Sequence, residues 1–285
     1  MDDLLKRINK VEQQNISKLI SILNAIYANV HLPSHDVNHH IRVWLHCKSM
    51  LAELQQAGLT INDALIENAL IACFFHDTGL TVNIGEEHGL QGALLFKENA
   101  HYFPTISKTS AEQIFNAIKE HDSKAIRTTP ISSPLDMIKL NRLVSTADDL
   151  DALGTIGIYR YIEIYALRQT PLQELPKKVA LNLRNRFANF TNTYSSLHRF
   201  ADQQKERYQT TFDFFTKLDS DIASNTEAAD STISVYNFIV ESLIMKKMNI
   251  ESTIKEATNL FTASYPLCFF KKLSSELNVN STFIL

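Results

Sequence analysis

The chain has 285 residues, 45% of them hydrophobic and 21% charged, with a formal net charge of −3. That composition supports a buried core and excludes a disordered chain. The slightly acidic balance argues against a broad surface for polymeric nucleic acid or anionic membrane, though a phosphorylated small molecule needs only a local group of cations.

Seven glycines and seven prolines are few for this length, and long runs of 3.6-residue periodicity dominate, so the expected fold class is all-α. No apolar run approaches the roughly 18 residues that span a bilayer. The start, Met1-Asp2-Asp3, is acidic and does not read as a signal peptide. A soluble, cytoplasmic protein without a membrane partner is the expectation. Cys47, Cys73 and Cys268 lie far apart in apolar helical patterns and read as reduced core residues.

In chain order, residues 3–28 carry apolar positions at helical intervals, with a break expected near Asn15. Pro33-Ser34 marks a loop before a helix from about Asp36 to Ala57. Gly58 ends that helix, Asn62 or Asp63 caps the next, and this third helix closes at His76-Asp77. Helices follow from Glu86 to Asn99, from Ser110 to Asp122 (capped by Thr109 or Ser110), and from Asp136 to Leu153 after a loop at 128–134. The Gly154-Thr155-Ile156-Gly157 break opens a helix through Arg168. A long helical stretch then covers Lys178 to Leu218, and the polar run Asp219–Asp230 is the best linker. The last helices span 231–247, 251–262 and 267–277. The expected organisation is a domain over 1–218 and a helical extension over 219–285. The aromatic stripe Phe187, Phe190, Tyr194, Phe200, Tyr208, Phe212, Phe214 and Phe215 reads as core. Phe261, Tyr265, Phe269 and Phe270 either pack back on the domain or cover a homodimer partner.

Nine of the ten histidines fall between residues 31 and 121, so chemistry concentrates in the first 160 residues. Four islands carry candidate metal ligands. In His76-Asp77, adjacent helical residues point about 100° apart, so both reach one cation only at a frayed or tightened helix end. Gly79 is expected to supply that end through a left-handed conformation. In His35-Asp36-Val37-Asn38-His39-His40, residues 35 and 39 share a helix face. His88 and His121 stand singly near helix ends. In Asp148-Asp149-Leu150-Asp151, a buried carboxylate must be paired or metal-bound. Three carboxylates in four positions cannot all face one way, so at least one is expected to be solvated.

The ordered set of His39, His76-Asp77 and Asp148 resembles the HD-domain metal-dependent phosphohydrolase superfamily. His35-Asp36-x-x-His39-x-x-Arg42-Val43 and Ala147-Asp148-x-Leu150-Asp151-Ala152-Leu153-Gly154-x-Ile156-Gly157-Ile158 are similar to a bacterial group of predicted HD hydrolases. The ligand islands occupy 35–158, with weaker similarity to about 218. The group usually reads Asp-Ala-Asp-Arg where this chain has Thr146-Ala147-Asp148-Asp149, so a cation near the site is replaced by a carboxylate.

The resemblance implies an HD-domain helical bundle with extra C-terminal helices. It implies that His39, His76, Asp77 and Asp148 hold one divalent cation, with His88 and His121 as ligands of a second cation or as phosphate donors. Imidazole ligands weigh toward Mn, Fe, Ni, Co or Zn over Mg. The leading expectation is hydrolysis of a phosphate ester or phosphoanhydride in a nucleotide-like small molecule. His35 resembles the position of a leaving-group acid, Asp77 belongs to the catalytic centre, and Arg42, Lys119, Arg142 and Arg160 are candidate neutralisers of phosphoryl charge. The alternatives are a nucleotide-sensing regulatory module without turnover and a di-iron oxygenase.

Overall fold

A computed structural model describes residues 2–85, 87–224, 230–262 and 264–281. The described residues form thirteen α-helices, joined by loops and short helical turns, with no strand among them. They divide into two compact units. The first takes in the chain through Val30, His35–Leu150 and Ala188–Asp202; the second takes in His31–Ser34, Asp151–Phe187 and the chain from Gln203.

In the first unit, α1 (Asp2–Tyr27), α2 (Val37–Gln56), α4 (His88–Asn99) and α5 (Lys108–Glu120) surround α3 (Asp63–Phe75). The apolar residues of α3 leave no polar face, and every residue from Asn68 to Phe75 is buried. A helix hydrophobic all round belongs inside a bundle, and here it carries His76-Asp77 into the middle of the unit. The caps are local and chemical. The Asp36 carboxylate accepts from Asn38 N at 2.9 Å, the Asn62 side chain from Leu65 N at 2.8 Å, and the Ser107 hydroxyl from Ser110 N at 3.0 Å.

Several boundaries differ from expectation. α1 is unbroken, because Asn15 turns its amide back to the Val11 carbonyl at 3.1 Å and stays in the helix. Ser107, not Thr109 or Ser110, caps α5. The 128–134 loop is preceded by a five-residue helix, α6 (Lys124–Thr128). The helix expected from Asp136 is a 3₁₀ segment (Pro134–Ile138) followed by α7 (Leu140–Asp151). The stretch 178–218 is two helices, α9 (Leu175–Tyr194) and α10 (His198–Ala223). The expected linker is helical as far as Ala223, and its residues 225–229 lie outside the described ones, as does the expected helix start at Glu86.

The second unit packs α8 (Gly154–Leu167) against α11 (Thr232–Val240) and α13 (Tyr265–Ser281), with α12 (Ile250–Leu260) also on α13. Gly154 has φ +80°, the left-handed start that the glycine motif requires. Phe269 and Phe270 are buried within this unit, where they meet Phe214 and Phe238. Most of the aromatic stripe is core, while Phe187, Tyr208 and Phe212 form a half-buried stack. Cys47 and Cys73 are buried free thiols, but Cys268 is exposed, because its position on α13 faces away from Phe269 and Phe270. No helix among the described residues is long and apolar enough to cross a membrane.

Two glycines bring backbones together around the centre. Gly79 is not left-handed, contrary to expectation. Its role is steric: a Cβ there would overlap the His88 carbonyl and lie 2.5 Å from Gly92 N. A Cβ on Gly89 would lie 2.7 Å from the Lys119 carbonyl. These close approaches set α4 against the turn after α3 and against α5, and so fix the spacing of His76, His88 and His121. The obstructing atoms are backbone and cannot swing away. Gly79→Ala is therefore expected to lower stability by about 1–3 kcal/mol or more in chemical denaturation, whereas Gly58→Ala, with no atom within 4 Å, meets only its left-handed φ of +92°.

Candidate metal centre

Five helices of the first unit deliver side chains to one place. α2 brings His39 in its first turn, the end of α3 brings His76 and Asp77, and His88 opens α4. His121 caps the end of α5, and Asp148 lies in the last turn of α7. After His76 the chain tightens into a 3₁₀ turn (Thr78–Thr81), which is how neighbouring residues 76 and 77 reach the same point. All six residues are buried.

Two sets of ligand atoms converge. In the set of His39, His76, Asp77 and Asp148, and in that of Asp77, His88 and His121, all donor atoms lie within 4.8 Å of one another. In the first, His39 Nε2 is 3.1 Å from His76 Nε2 and 3.2 Å from Asp77 Oδ2. Asp148 Oδ1 lies 3.7 and 3.6 Å from the same two nitrogens. In the second, Asp77 Oδ1 is 3.0 Å from His121 Nε2 and 3.4 Å from His88 Nε2. Asp77 thus offers one oxygen to each set.

The orientation of three imidazoles follows from their outer nitrogens. Nδ1 of His76, His88 and His121 lies 2.8, 2.8 and 2.7 Å from the carbonyls of Cys73, Gly85 and Ile118. A carbonyl only accepts, so Nδ1 carries a proton and Nε2 faces inward, where it can ligate a metal once any proton it shares with the carboxylates is displaced. The Nε2 atoms of His88 and His121 then face each other at 3.3 Å, a lone-pair conflict that a cation or shared proton removes. Donors about 2.0–2.2 Å from one cation lie roughly 3–3.5 Å from each other, close to the spacings here. The residues fit a divalent cation in each set.

Electrostatics agree. Burial pushes His76 toward its neutral form, but Asp77 and Asp148 outweigh it and push its pKa up to about 10. Burial raises Asp77, yet His76 and hydrogen bonds from His121 and His39 hold it well below the usual carboxylate range. Burial lowers His88, and Asp77 reverses that into a net rise. His40, next to His39, stands apart: burial and the neighbouring imidazoles hold it well below its ordinary value. Its ring nitrogens meet the Tyr27 hydroxyl at 2.8 Å and the Cys73 carbonyl at 3.3 Å.

His35 is buried with its ring edge-on to His39, centroids 5.4 Å apart. Arg42 is buried one turn further along α2. Lys119 is exposed, two residues before His121. Arg142 is buried and donates to the Thr129 carbonyl at 2.6 Å. Arg160 belongs to the second unit, where its Nη1 lies 3.3 Å from Asp151 Oδ2. The expectation of a solvated aspartate among 148, 149 and 151 is overturned, since all three are buried. Each faces a different positive partner: the imidazoles for Asp148, Arg127 for Asp149 and Arg160 for Asp151. Sequence reasoning passed over Arg127 because it lies beyond the last histidine island. Its pairing also means that Asp149 adds no uncompensated negative charge beside the centre.

The HD domain family matches residues 36–153 of the chain. No curated protein and no solved structure gives a significant match.

Before a cation binds, the His76 proton holds the carboxylates together. That stabilisation is complete below pH 6.5 and is lost as the pH rises through about 10. A cation must displace this proton. Mn²⁺ titration near about pH 7.5, in two buffers of different ionisation enthalpy, is expected to show release of about one proton and an affinity that falls as pH is lowered.

Proposed function

From the premise that residues 36–153 are an HD domain, we propose that the chain is a metal-dependent phosphohydrolase of small, nucleotide-like phosphate esters or anhydrides. The observation that carries this reading is the shared carboxylate of Asp77, with one oxygen toward His39 and His76 and the other toward His88 and His121. His39, His76, Asp77 and Asp148 would hold one cation, and Asp77, His88 and His121 would hold a second. Bound there, a divalent cation would supply a lowered pKa for water and polarisation of phosphoryl oxygens. The imidazole-rich ligand sets favour Mn, Fe, Co, Ni or Zn over Mg.

The chain's own groups complete the reaction. His35, against His39, gives its proton to the leaving oxygen as the P–O bond breaks, and regains one from the water whose oxygen joins phosphorus. Arg42 offers a fixed positive charge to the phosphoryl oxygens. Burial of the centre strengthens each of these interactions by keeping the local dielectric low. The net charge of −3 supports a small substrate over a polymer.

The test is a panel of nucleotides and phosphodiesters incubated with Mn²⁺, Fe²⁺ or Ni²⁺, followed for released phosphate or alcohol. Asp77→Ala is expected to lose bound metal and turnover together. His35→Gln is expected to keep its metal and lose about 10²–10⁴-fold in kcat. Full activity in Asp77→Ala, or no turnover of any phosphate ester by metal-loaded wild type, would sink the reading.

A further inference from the structure

One guanidinium outside the centre joins two segments that carry its ligands. Arg127 Nε and Nη2 donate to the two carboxylate oxygens of Asp149 at 3.1 and 2.8 Å. Its Nη1 donates to the carboxylate of Asp122 at 2.8 Å and to the Asp122 carbonyl at 2.9 Å. Asp149 follows Asp148, a member of the first ligand set, and Asp122 follows His121, a member of the second. The clamp is sheltered: the Arg127 side chain is 11% exposed and that of Asp149 is 2% exposed.

We propose that Arg127 is a positioning residue that holds His121 at a fixed distance from Asp148, and so sets the affinity of the second cation. The inference rests on the two-cation reading above. His121 lies where α5 has ended, so its backbone is not held on both sides by helical hydrogen bonds. α6, which carries Arg127, has five residues, too few to be stable alone. The fork to Asp149 and Asp122 therefore orders α6 and the turn after His121 together, against the buried last turn of α7. A planar guanidinium grips two carboxylates at once in fixed geometry, whereas an ammonium is a point charge on a flexible stem. Loss of the fork would also leave buried Asp149 without this compensation, and the resulting shift would fall first on the neighbouring ligand turns.

The experiment is calorimetric titration of the full chain with Mn²⁺ for wild type, Arg127→Met and Arg127→Lys. Circular dichroism melts of the metal-free proteins check that each one folds. Wild type is expected to bind two equivalents. Both variants are expected to keep the first and to weaken the second by roughly 10–100-fold, with loss of the exchange-coupled dimanganese signal in electron paramagnetic resonance. Should Arg127→Met not fold, Asp122→Ala removes the side-chain half of the α5 arm, at a side chain 41% exposed, leaves the bond to its carbonyl, and is expected to weaken the second cation selectively but by less. An unchanged second affinity in a folded variant overturns the inference, as does equal weakening of both equivalents, which would mark general loss of packing. Wild type binding one cation or none removes the two-cation reading and this inference with it, an outcome distinct from failure of the variants alone.

Discussion

The structure turns on a single buried carboxylate. Asp77 sits at 4% exposure with imidazole nitrogens of His39, His76, His88 and His121 within 3.5 Å of its two oxygens. An ionised carboxylate in such a place is tolerable only when positive charge and hydrogen bonds replace the water it lost. Four helices of the first unit supply that replacement, one imidazole each. The same feature that makes Asp77 costly to bury makes it a strong ligand, since it stays ionised far below neutral pH.

Much of the surrounding architecture serves to aim those imidazoles. Helix ends recur because a helix interior spends its carbonyls on its own ladder, whereas a terminal turn leaves carbonyls available to side chains. His76 and His121 each use such a carbonyl three residues back, and His88 uses the Gly85 carbonyl in the loop before α4, to pin Nδ1 and turn Nε2 inward. Gly79 and Gly89 let the elements carrying these residues approach at backbone distance, closer than any side chain would permit. The ordering is thus partly covalent and local, and partly a matter of where helices are able to touch.

Charge beyond the ligands is arranged in separate pairs. Asp148, Asp149 and Asp151 point to three different partners from one helix end, which lets all of them be buried. Arg127 offsets the carboxylate at 149, so the immediate rim of the centre is closer to neutral than the linear run of acids suggests. Arg142 and Arg160 are drawn into hydrogen bonds with the Thr129 carbonyl and with Asp151.

Residues alone determined the helical class, through periodicity and the scarcity of glycine and proline, and most helix positions, through punctuation such as Pro33-Ser34, Gly58 and the cap candidates Asn62 and Asp63. They also offered the ligand candidates, though only as an ordered set: His76-Asp77 says little by itself, and it is the succession of His39, His76-Asp77 and Asp148 that resembles the HD superfamily. Only the tertiary structure decided that His88 and His121 meet the second oxygen of Asp77, that His40 does not join its neighbour His39, and that no aspartate near 148 is solvated. It likewise decided that Gly79 is needed for closeness and not for a left-handed turn, and it brought Arg127 to Asp149 across 22 residues. The physical reason is common to all of these. Local rules act over one helical turn and can be read from spacing, whereas convergence of helix ends depends on packing among elements far apart in the chain, for which spacing carries no signal.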